Sequence, residues 1–211
     1  YKKIITFFHN MKGDFTPEFV VNSWNQNNAM LFWDLTESGD EKGLNKNVVG
    51  SLNGHGIGFG DINGDGREDL LFQGGWYERP SDLGSGKWVL HEDWHYKQAG
   101  CPMLVVDLNE DGRNDVIWGN GHDYGLFCEE QLKASDGKTQ WMQHVIDRSW
   151  SQAHALLWED IDGDGQQELV IMIRRGDTRG TLITSVTGDI VHNGGGSGSE
   201  LWASEGFINS D

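Results

Sequence analysis

The chain has few of the features that mark several large protein classes. Its longest apolar stretches, such as Met30–Trp33 and Leu169–Ile173, are far shorter than the roughly 18 apolar residues of a membrane-spanning helix. Only 16 of its 211 residues are Lys or Arg, against 33 Asp or Glu, which leaves a formal charge of −17. Because phosphate binding depends on cationic side chains, this balance argues against a nucleic-acid partner. We therefore expect no membrane span and no nucleic acid.

Cysteine and proline are also scarce. Two cysteines, Cys101 and Cys128, are too few for a disulfide framework, and neither belongs to a zinc-type Cys-x-x-Cys. The 30 glycines follow no Gly-X-Y period, which excludes collagen. Hydrophobic residues make up 36% of the chain, enough for a core. Many glycines combined with short apolar runs predict short strands joined by tight turns.

Three segments share one acidic pattern, Asp-x-(Asp/Asn)-x-Asp-Gly-x-x-(Asp/Glu), with apolar runs on both sides. Calcium takes six to eight oxygen ligands, which alternate acidic side chains in a tight loop supply, and the glycine permits the turn. An EF-hand would need helical flanks, whereas these flanks predict strands. Acidic turns without an ion are the alternative, but three copies in one phase favour calcium. The predicted ligands are Asp61, Asn63, Asp65 and Asp69; Asp107, Asn109, Asp111 and Asp115; and Asp160, Asp162, Asp164 and Glu168.

The spacing of the three loops predicts the architecture. About 46 residues separate Asp61 from Asp107 and about 53 separate Asp107 from Asp160, the length of a four-stranded β-propeller blade. A fainter loop is predicted at Asp34, only about 27 residues before Asp61, so the first unit is expected to lack its outer strands. These spacings predict an all-β fold of about four antiparallel blades, part of a larger ring. The predicted units are 1–54 (incomplete first blade and lead-in strand), 55–100, 101–153 and 154–192 (blades with calcium loops), and 193–211 (a Gly/Ser-rich flexible tail).

These residues resemble a known family. Phe59–Gly66, of sequence FGDINGDG, and its two copies resemble the FG-GAP, or VCBS, repeats of the integrin alpha-chain propeller and of many secreted bacterial proteins. The resemblance covers roughly residues 29–175 and implies a β-propeller with calcium at the loop joining the first two strands of each blade. Gly54–Gly56, Gly75–Glu78 and Gly121–Gly125 are further similar to the propeller part of aldos-2-ulose dehydratase-like proteins, which act on sugars.

Chemically active side chains stand at equivalent positions of the repeat. His55, Cys101 and His154 each precede the first aspartate of a loop by six residues. We therefore expect His55 and His154 to converge at one end of the innermost strands, with Cys101 between them. Such a group suits a transition metal such as Zn²⁺ or acid–base chemistry. The alternative is a set of polar residues that fill a narrow channel with satisfied hydrogen bonds.

A second predicted group follows the second strand of two blades. Trp76–Glu78 and His122–Tyr124 occupy aligned positions, and aromatic rings beside carboxylates suit sugars. The alternative is that Trp and Tyr fill the space between blades. The predicted catalytic residues are His55, His122, His154 and Tyr124, and the predicted substrate-binding residues are Trp76, Tyr77, Glu78 and Asp123.

Two functions are compatible with these residues. The first is a sugar dehydratase or lyase in which His154 or His55 removes a proton next to a carbonyl, His122 or a bound metal stabilises the enolate, and Tyr124 donates a proton. The second is a non-catalytic propeller module that binds glycans or proteins. Histidines at equivalent positions favour the enzyme. Calcium at extracellular concentrations suits such loops, so we expect a secreted, extracellular or periplasmic location, a carbohydrate ligand, and further blades or domains as partners.

Overall fold

The computed structural model of the chain describes residues 4–12, 14–38, 41–133, 139–161, 163–175, 178–185 and 190–193. Every regular element within those ranges is a β-strand, so the predicted all-β class is confirmed. The strands form four antiparallel sheets of four strands each, in which every strand pairs with its neighbours in the chain. The predicted tail, 193–211, lies outside the described residues except for Asn193.

All four sheets are simple meanders. The first contains β1 (Ile4–His9), β2 (Glu18–Ser23), β3 (Met30–Ser38) and β4 (Glu41–Gly50). The second contains β5 (Ile57–Gly60), β6 (Asp69–Phe72), β7 (Gly75–Glu78) and β8 (Val89–His91). The third contains β9 (Leu104–Val106), β10 (Asp115–Gly119), β11 (Tyr124–Leu132) and β12 (Gln140–Ser151). The fourth contains β13 (Ala155–Glu159), β14 (Glu168–Arg175), β15 (Thr178–Ser185) and β16 (Ile190–Asn193).

The first sheet differs from its prediction. The spacing predicts an incomplete unit with its loop at Asp34, but the sheet has four strands, and Asp34 lies inside β3 opposite Asn45. The loop between the first two strands instead begins at Asn10, about 51 residues before Asp61, a normal repeat length. The sequence prediction missed it because Asn10 and Lys12 stand where the other loops have acidic or amide ligands.

The core consists of three apolar clusters, and each lies between two consecutive sheets. Phe32 of the first sheet packs with Phe72 of the second, Trp76 of the second with Trp118 of the third, and Leu126 of the third with residues of the fourth. The second and third sheets therefore each bury one face against the sheet before them and the other face against the sheet after them. Such sandwiching explains why β6 and β10 are buried along their whole length.

The first strands of the second and third sheets approach each other closely and run parallel. Gly58 forms a parallel bridge with Met103, and Met103 N–H donates to the carbonyl oxygen of Ile57 at 2.7 Å. A Cβ on Gly58 would lie 2.3 Å from the Met103 carbonyl oxygen, and one on Gly60 would lie 2.3 Å from Val105 Cβ. Glycine at 58 and 60 therefore permits the approach of these two strands.

The outward faces of the first and fourth sheets carry exposed apolar side chains. In the first sheet Phe8 is 71% exposed, whereas its neighbour Phe7 packs on the core. In the fourth sheet Leu157 is 49% exposed and Met172 57%, whereas Ile171 is fully buried. Because buried and exposed side chains alternate along these strands, the first and fourth sheets each have one apolar face that lies outside the three core clusters.

Candidate functional site

The loop between β5 and β6 folds around the side chain of Asp61. Asp61 Oδ1 accepts the backbone N–H of Asp65 at 3.0 Å, and Oδ2 accepts that of Gly66 at 2.7 Å. Asn63 Oδ1 accepts the same Asp65 N–H at 3.1 Å, and the Arg67 guanidinium pairs with Asp65. These bonds gather Asp61, Asn63 and Asp65 on one exposed turn, and their oxygen donors are the kind that calcium prefers.

The loop between β9 and β10 repeats the same bonds. Asp107 Oδ1 accepts the N–H of Asp111 at 3.0 Å, and Oδ2 accepts that of Gly112 at 2.9 Å. Asn109 Oδ1 accepts the Asp111 N–H at 3.2 Å, and Arg113 pairs with Asp111. The two loops therefore share one conformation as well as one sequence pattern.

The loop between β13 and β14 keeps the part of this conformation that the structure describes. Asp160 Oδ2 accepts the N–H of Gly165 at 3.0 Å, and Asp164 Oδ1 accepts that of Gln166 at 2.8 Å. The predicted ligand at the third position of this loop, Asp162, lies outside the described residues.

The acid at the ninth position ties each loop to its sheet. Asp69 is fully buried, and its two oxygens accept the N–H groups of Ile62 at 3.0 Å and Arg79 at 2.9 Å. Burial raises the pKa of Asp69 to about 6 and also raises that of Asp115, against the lowering effect of their backbone hydrogen bonds. Glu168 likewise accepts the N–H of the second loop residue. These acids position the loop, and their role as calcium ligands stays a prediction.

Three histidines from neighbouring sheets meet in one cluster. His55 lies just before β5, His122 lies between β10 and β11, and His154 lies just before β13. One ligand atom from each lies within 4.8 Å of the other two. The ring centroids are 4.8 Å apart for His55 and His122, 4.7 Å for His122 and His154, and 5.5 Å for His55 and His154. His55 and His154 thus lie together, as their equivalent positions predict, and His122 completes the group.

The protonation of His55 follows from its hydrogen bond. Its Nδ1 bonds the carbonyl oxygen of Ala99, and because a carbonyl only accepts, Nδ1 carries the proton and neutral His55 has its lone pair on Nε2. Burial lowers the pKa of His55, against the raising effect of the Ala99 bond, and so favours the neutral ring that binds metals. His55 Nε2 lies 3.1 Å from His122 Nε2. Two nitrogens bound to one tetrahedral zinc stand about 3.3 Å apart, so the pair fits such an ion.

Gly121 makes room for the histidine rings. A Cβ at this position would lie 2.9 Å from His154 Cε1 and 3.1 Å from His55 Cε1. Any larger residue would therefore displace at least one of the two rings. The resulting set of three imidazole nitrogens is a typical donor set for divalent transition metals.

Trp24, which follows β2, flanks the cluster from the first sheet. Its ring centroid lies 4.7 Å from that of His55 and 4.6 Å from that of His122, yet the residue is 38% exposed. Trp24, Asn25, Gln26 and Asn27 line a cavity of about 470 Å³. The sequence prediction missed Trp24 because it lies outside the three recognised repeats. The only signal was its position at the head of a run of amide side chains.

The predicted sugar-binding rings at the second sheet have packing roles. Trp76 is 1% exposed and stacks on His91 at 4.0 Å, and Tyr77 is 2% exposed with its hydroxyl donating to the Leu52 carbonyl at 3.0 Å. Glu78 bonds His91 Nε2 at 2.8 Å. Trp76 and Tyr77 therefore form no open face for a sugar, and the structure shows the space-filling alternative.

Asp123 and Tyr124 directly follow His122 in the sequence. Tyr124 is 55% exposed, and its N–H donates to Asp123 Oδ1 at 2.9 Å. The Asp123 carbonyl accepts the N–H of Gln152 at 2.9 Å, which holds the turn against the connection between β12 and β13. In the described part of the chain, the group of potential ligands contains the three histidines but neither of these side chains.

Cys101 does not join the histidines, although its position in the repeat predicts that it does. It is buried in the cluster shared by the first two sheets, and burial raises the pKa of its thiol to about 11. Cys128 is buried between the third and fourth sheets, where burial likewise raises its thiol pKa. Both thiols are free and act as small apolar side chains.

Nothing in the described ranges folds as a helix that has the length and apolar character to cross a membrane. Comparison of the chain with protein-family models, with curated proteins and with solved structures finds no match.

Proposed function

We propose that this chain is part of a calcium-stabilised β-propeller. The proposal is supported by four consecutive meanders that pack face to face and by the parallel approach of the first strands at Gly58. In a propeller the first strands of the blades surround the central axis. The apolar outward faces at Phe8 and Leu157 are then surfaces on which further blades pack.

Calcium is the proposed ion of the three acidic loops that begin at Asp61, Asp107 and Asp160. An ion that binds only the folded state stabilises it by about 2.7 kcal/mol at a hundredfold excess over Kd. For a chain of this size that corresponds to a melting temperature about 5–10 °C higher for each loop that calcium fills. Melting in calcium and in a calcium chelator measures this difference, and equal melting temperatures would remove the calcium assignment.

The histidine cluster is the proposed active centre, with a divalent transition metal, zinc as the first candidate, on His55, His122 and His154. The observation that carries the proposal is the convergence of three ligand atoms within 4.8 Å. When bound, such a metal supplies a Lewis acid that polarises a carbonyl oxygen. Trp24 then offers a ring for the C–H face of a sugar, and the neighbouring amides offer donors and acceptors for its hydroxyls.

The proposed reaction is elimination from a sugar, in which a base takes a proton next to a carbonyl and a hydroxyl leaves as water. An imidazole that binds a metal cannot also take a proton. With all three histidines as ligands, the base must come from exposed groups beside them, of which Asp123 is adjacent to His122 in sequence. Tyr124 remains the predicted proton donor. The calcium loops suit extracellular calcium concentrations, which supports a secreted location for the protein.

Metal binding and activity are tested with His122→Ala, because His122 is exposed and its replacement leaves the core intact. We expect one zinc per wild-type chain and an affinity lower by about 100-fold or more in His122→Ala, since even outer-shell changes cost about 10–100-fold. His91→Ala, whose ring pairs with Glu78 away from the cluster, is the matched control. Equal zinc contents in all three proteins would contradict the proposal.

A non-catalytic glycan-binding module is the second candidate, favoured by the cavity at Trp24, which needs no base. Trp24→Ala should abolish glycan binding under either function. Retained glycan binding in His122→Ala, together with no elimination product from any sugar in the wild type, would favour the module over the enzyme.

A further inference from the structure

The turn between β1 and β2 has the skeleton of the three proposed calcium loops. Its nine residues, 10–18, align with 61–69, 107–115 and 160–168, each of which ends at the first residue of a second strand. The first position is Asn10, the third is Lys12, the fifth is Asp14, the sixth is Phe15 and the ninth is Glu18. Only the fifth and ninth positions keep an acid.

Three hydrogen bonds of the calcium loops recur at this turn. Asp14 N–H donates to Asn10 Oδ1 at 3.2 Å, as Asp65 N–H does to Asp61 Oδ1. Glu18 Oε2 accepts the N–H of the second residue at 2.7 Å, as Asp69 does in its own loop. The N–H of the seventh residue donates to Asp14 Oδ1 at 3.0 Å, as its counterpart donates to Asp65.

The sixth position gives independent support for the shared conformation. Phe15 has φ 69°, in the left-handed region, where Gly66, Gly112 and Gly165 have φ 82°, 83° and 90°. A bulky residue adopts this region only when its surroundings impose it. Because Phe15 is 96% exposed, its own packing does not impose the conformation. The hydrogen bonds of the loop impose it instead.

Lys12 brings a positive charge to the third position of this loop, where the other loops carry an oxygen ligand. Its Nζ contacts Asp34 Oδ2 and lies 3.9 Å from Glu18 Oε1. The Glu18 side chain is 2% exposed and that of Asp34 is 16% exposed, so both carboxylates are partly or fully withdrawn from water. Burial acts to raise the pKa of Asp34, but the hydrogen bonds from Lys12 and Asn47 hold it below its usual range.

We propose that the β1–β2 turn is a fourth loop of this type in which the Lys12 ammonium takes the place of the calcium ion. The inference rests on the proposed calcium function of the other three loops. The ammonium supplies the positive charge that the surrounding carboxylates need, without requiring an ion from solution. The β1–β2 turn therefore keeps its conformation at calcium concentrations that are too low to fill the other three loops.

The test restores the ligands that the other loops carry. A triple variant, Asn10→Asp, Lys12→Asn and Phe15→Gly, gives this loop the residues of the Asp61 loop at those three positions. We expect equilibrium dialysis to give three bound calcium ions for the wild type and four for the triple variant. Lys46→Asn, which removes an exposed lysine of the same sheet, is the control and should bind three.

Lys12→Asn alone provides a second measurement that does not depend on a new site. In a calcium chelator it should melt about 5–10 °C below the wild type, because Glu18 and Asp34 lose their cation. Four ions on the wild type, three on the triple variant, or no loss of melting temperature in Lys12→Asn would each overturn the inference and leave the calcium function of the other loops standing. No bound calcium on the wild type would overturn both.

Discussion

Replacing Gly58 by Ala tests the packing of the second and third sheets. The new Cβ would lie 2.3 Å from the Met103 carbonyl oxygen, more than 1 Å closer than the 3.4–4 Å of an ordinary van der Waals contact, and that oxygen belongs to the backbone. β5 and β9 must then separate and stretch the 2.7 Å bond from Met103 N–H to the Ile57 carbonyl. Overpacking of a tight interior costs about 1–3 kcal/mol, and because backbone has to move we expect about 3 kcal/mol. Thermal melting should show a decrease of about 6–12 °C.

Gly64→Ala is the matched control for this substitution. Gly64 has φ 75°, and its Cβ would have no neighbour within 4 Å, so the change costs backbone strain of about 1–2 kcal/mol without any clash. Gly58→Ala should therefore be the more destabilising of the two. A loss below about 1 kcal/mol at position 58, or a larger loss at position 64, would refute the close parallel approach of these strands.

Three further predictions address the loops, the histidine cluster and the thiols. Glu110 is an exposed non-glycine residue at φ 59°, so Glu110→Gly should raise the free energy of unfolding by about 0.5–1 kcal/mol in urea titrations. Gly121→Ala should lower zinc affinity about tenfold or more with little change in melting temperature, because the Cβ of the new alanine displaces imidazole rings and no backbone atom. Unchanged affinity would contradict the placement of the rings. Cys101 and Cys128 should resist iodoacetamide at pH 8 in the folded protein and react after unfolding. The reason is that burial raises the pKa of both thiols, that of Cys101 to about 11. Labelling of the native protein would refute their burial.

The fold was predictable where the sequence repeats itself. Glycines and acids at fixed spacing predict the loops, and the short apolar runs beside them predict β5, β6, β9 and β10. The first sheet was not predictable in the same way, because Lys12 and Phe15 replace the residues by which the other loops are recognised. Its backbone hydrogen bonds preserve the loop conformation, and these are visible only in three dimensions.

The candidate site was predictable in part. His55 and His154 stand at equivalent repeat positions, and identical strand geometry brings equivalent residues to the same end of neighbouring sheets. Cys101 has the same repeat position, but its thiol is buried in the core, because spacing along the chain does not determine which way a side chain points. Trp24 could not be found by spacing, because it reaches the cluster from the first sheet, whose loop lacks the acidic pattern of the other three.

The histidine cluster and the tryptophan that flanks it take one side chain from each sheet: Trp24 from the first, His55 from the second, His122 from the third and His154 from the region leading into the fourth. No sheet alone holds two of these rings, so a folding intermediate with a missing or misdocked sheet lacks part of the group. Quenching of Trp24 fluorescence by the adjacent imidazoles would therefore report on assembly of the first three sheets. Metal uptake would report on docking of the fourth.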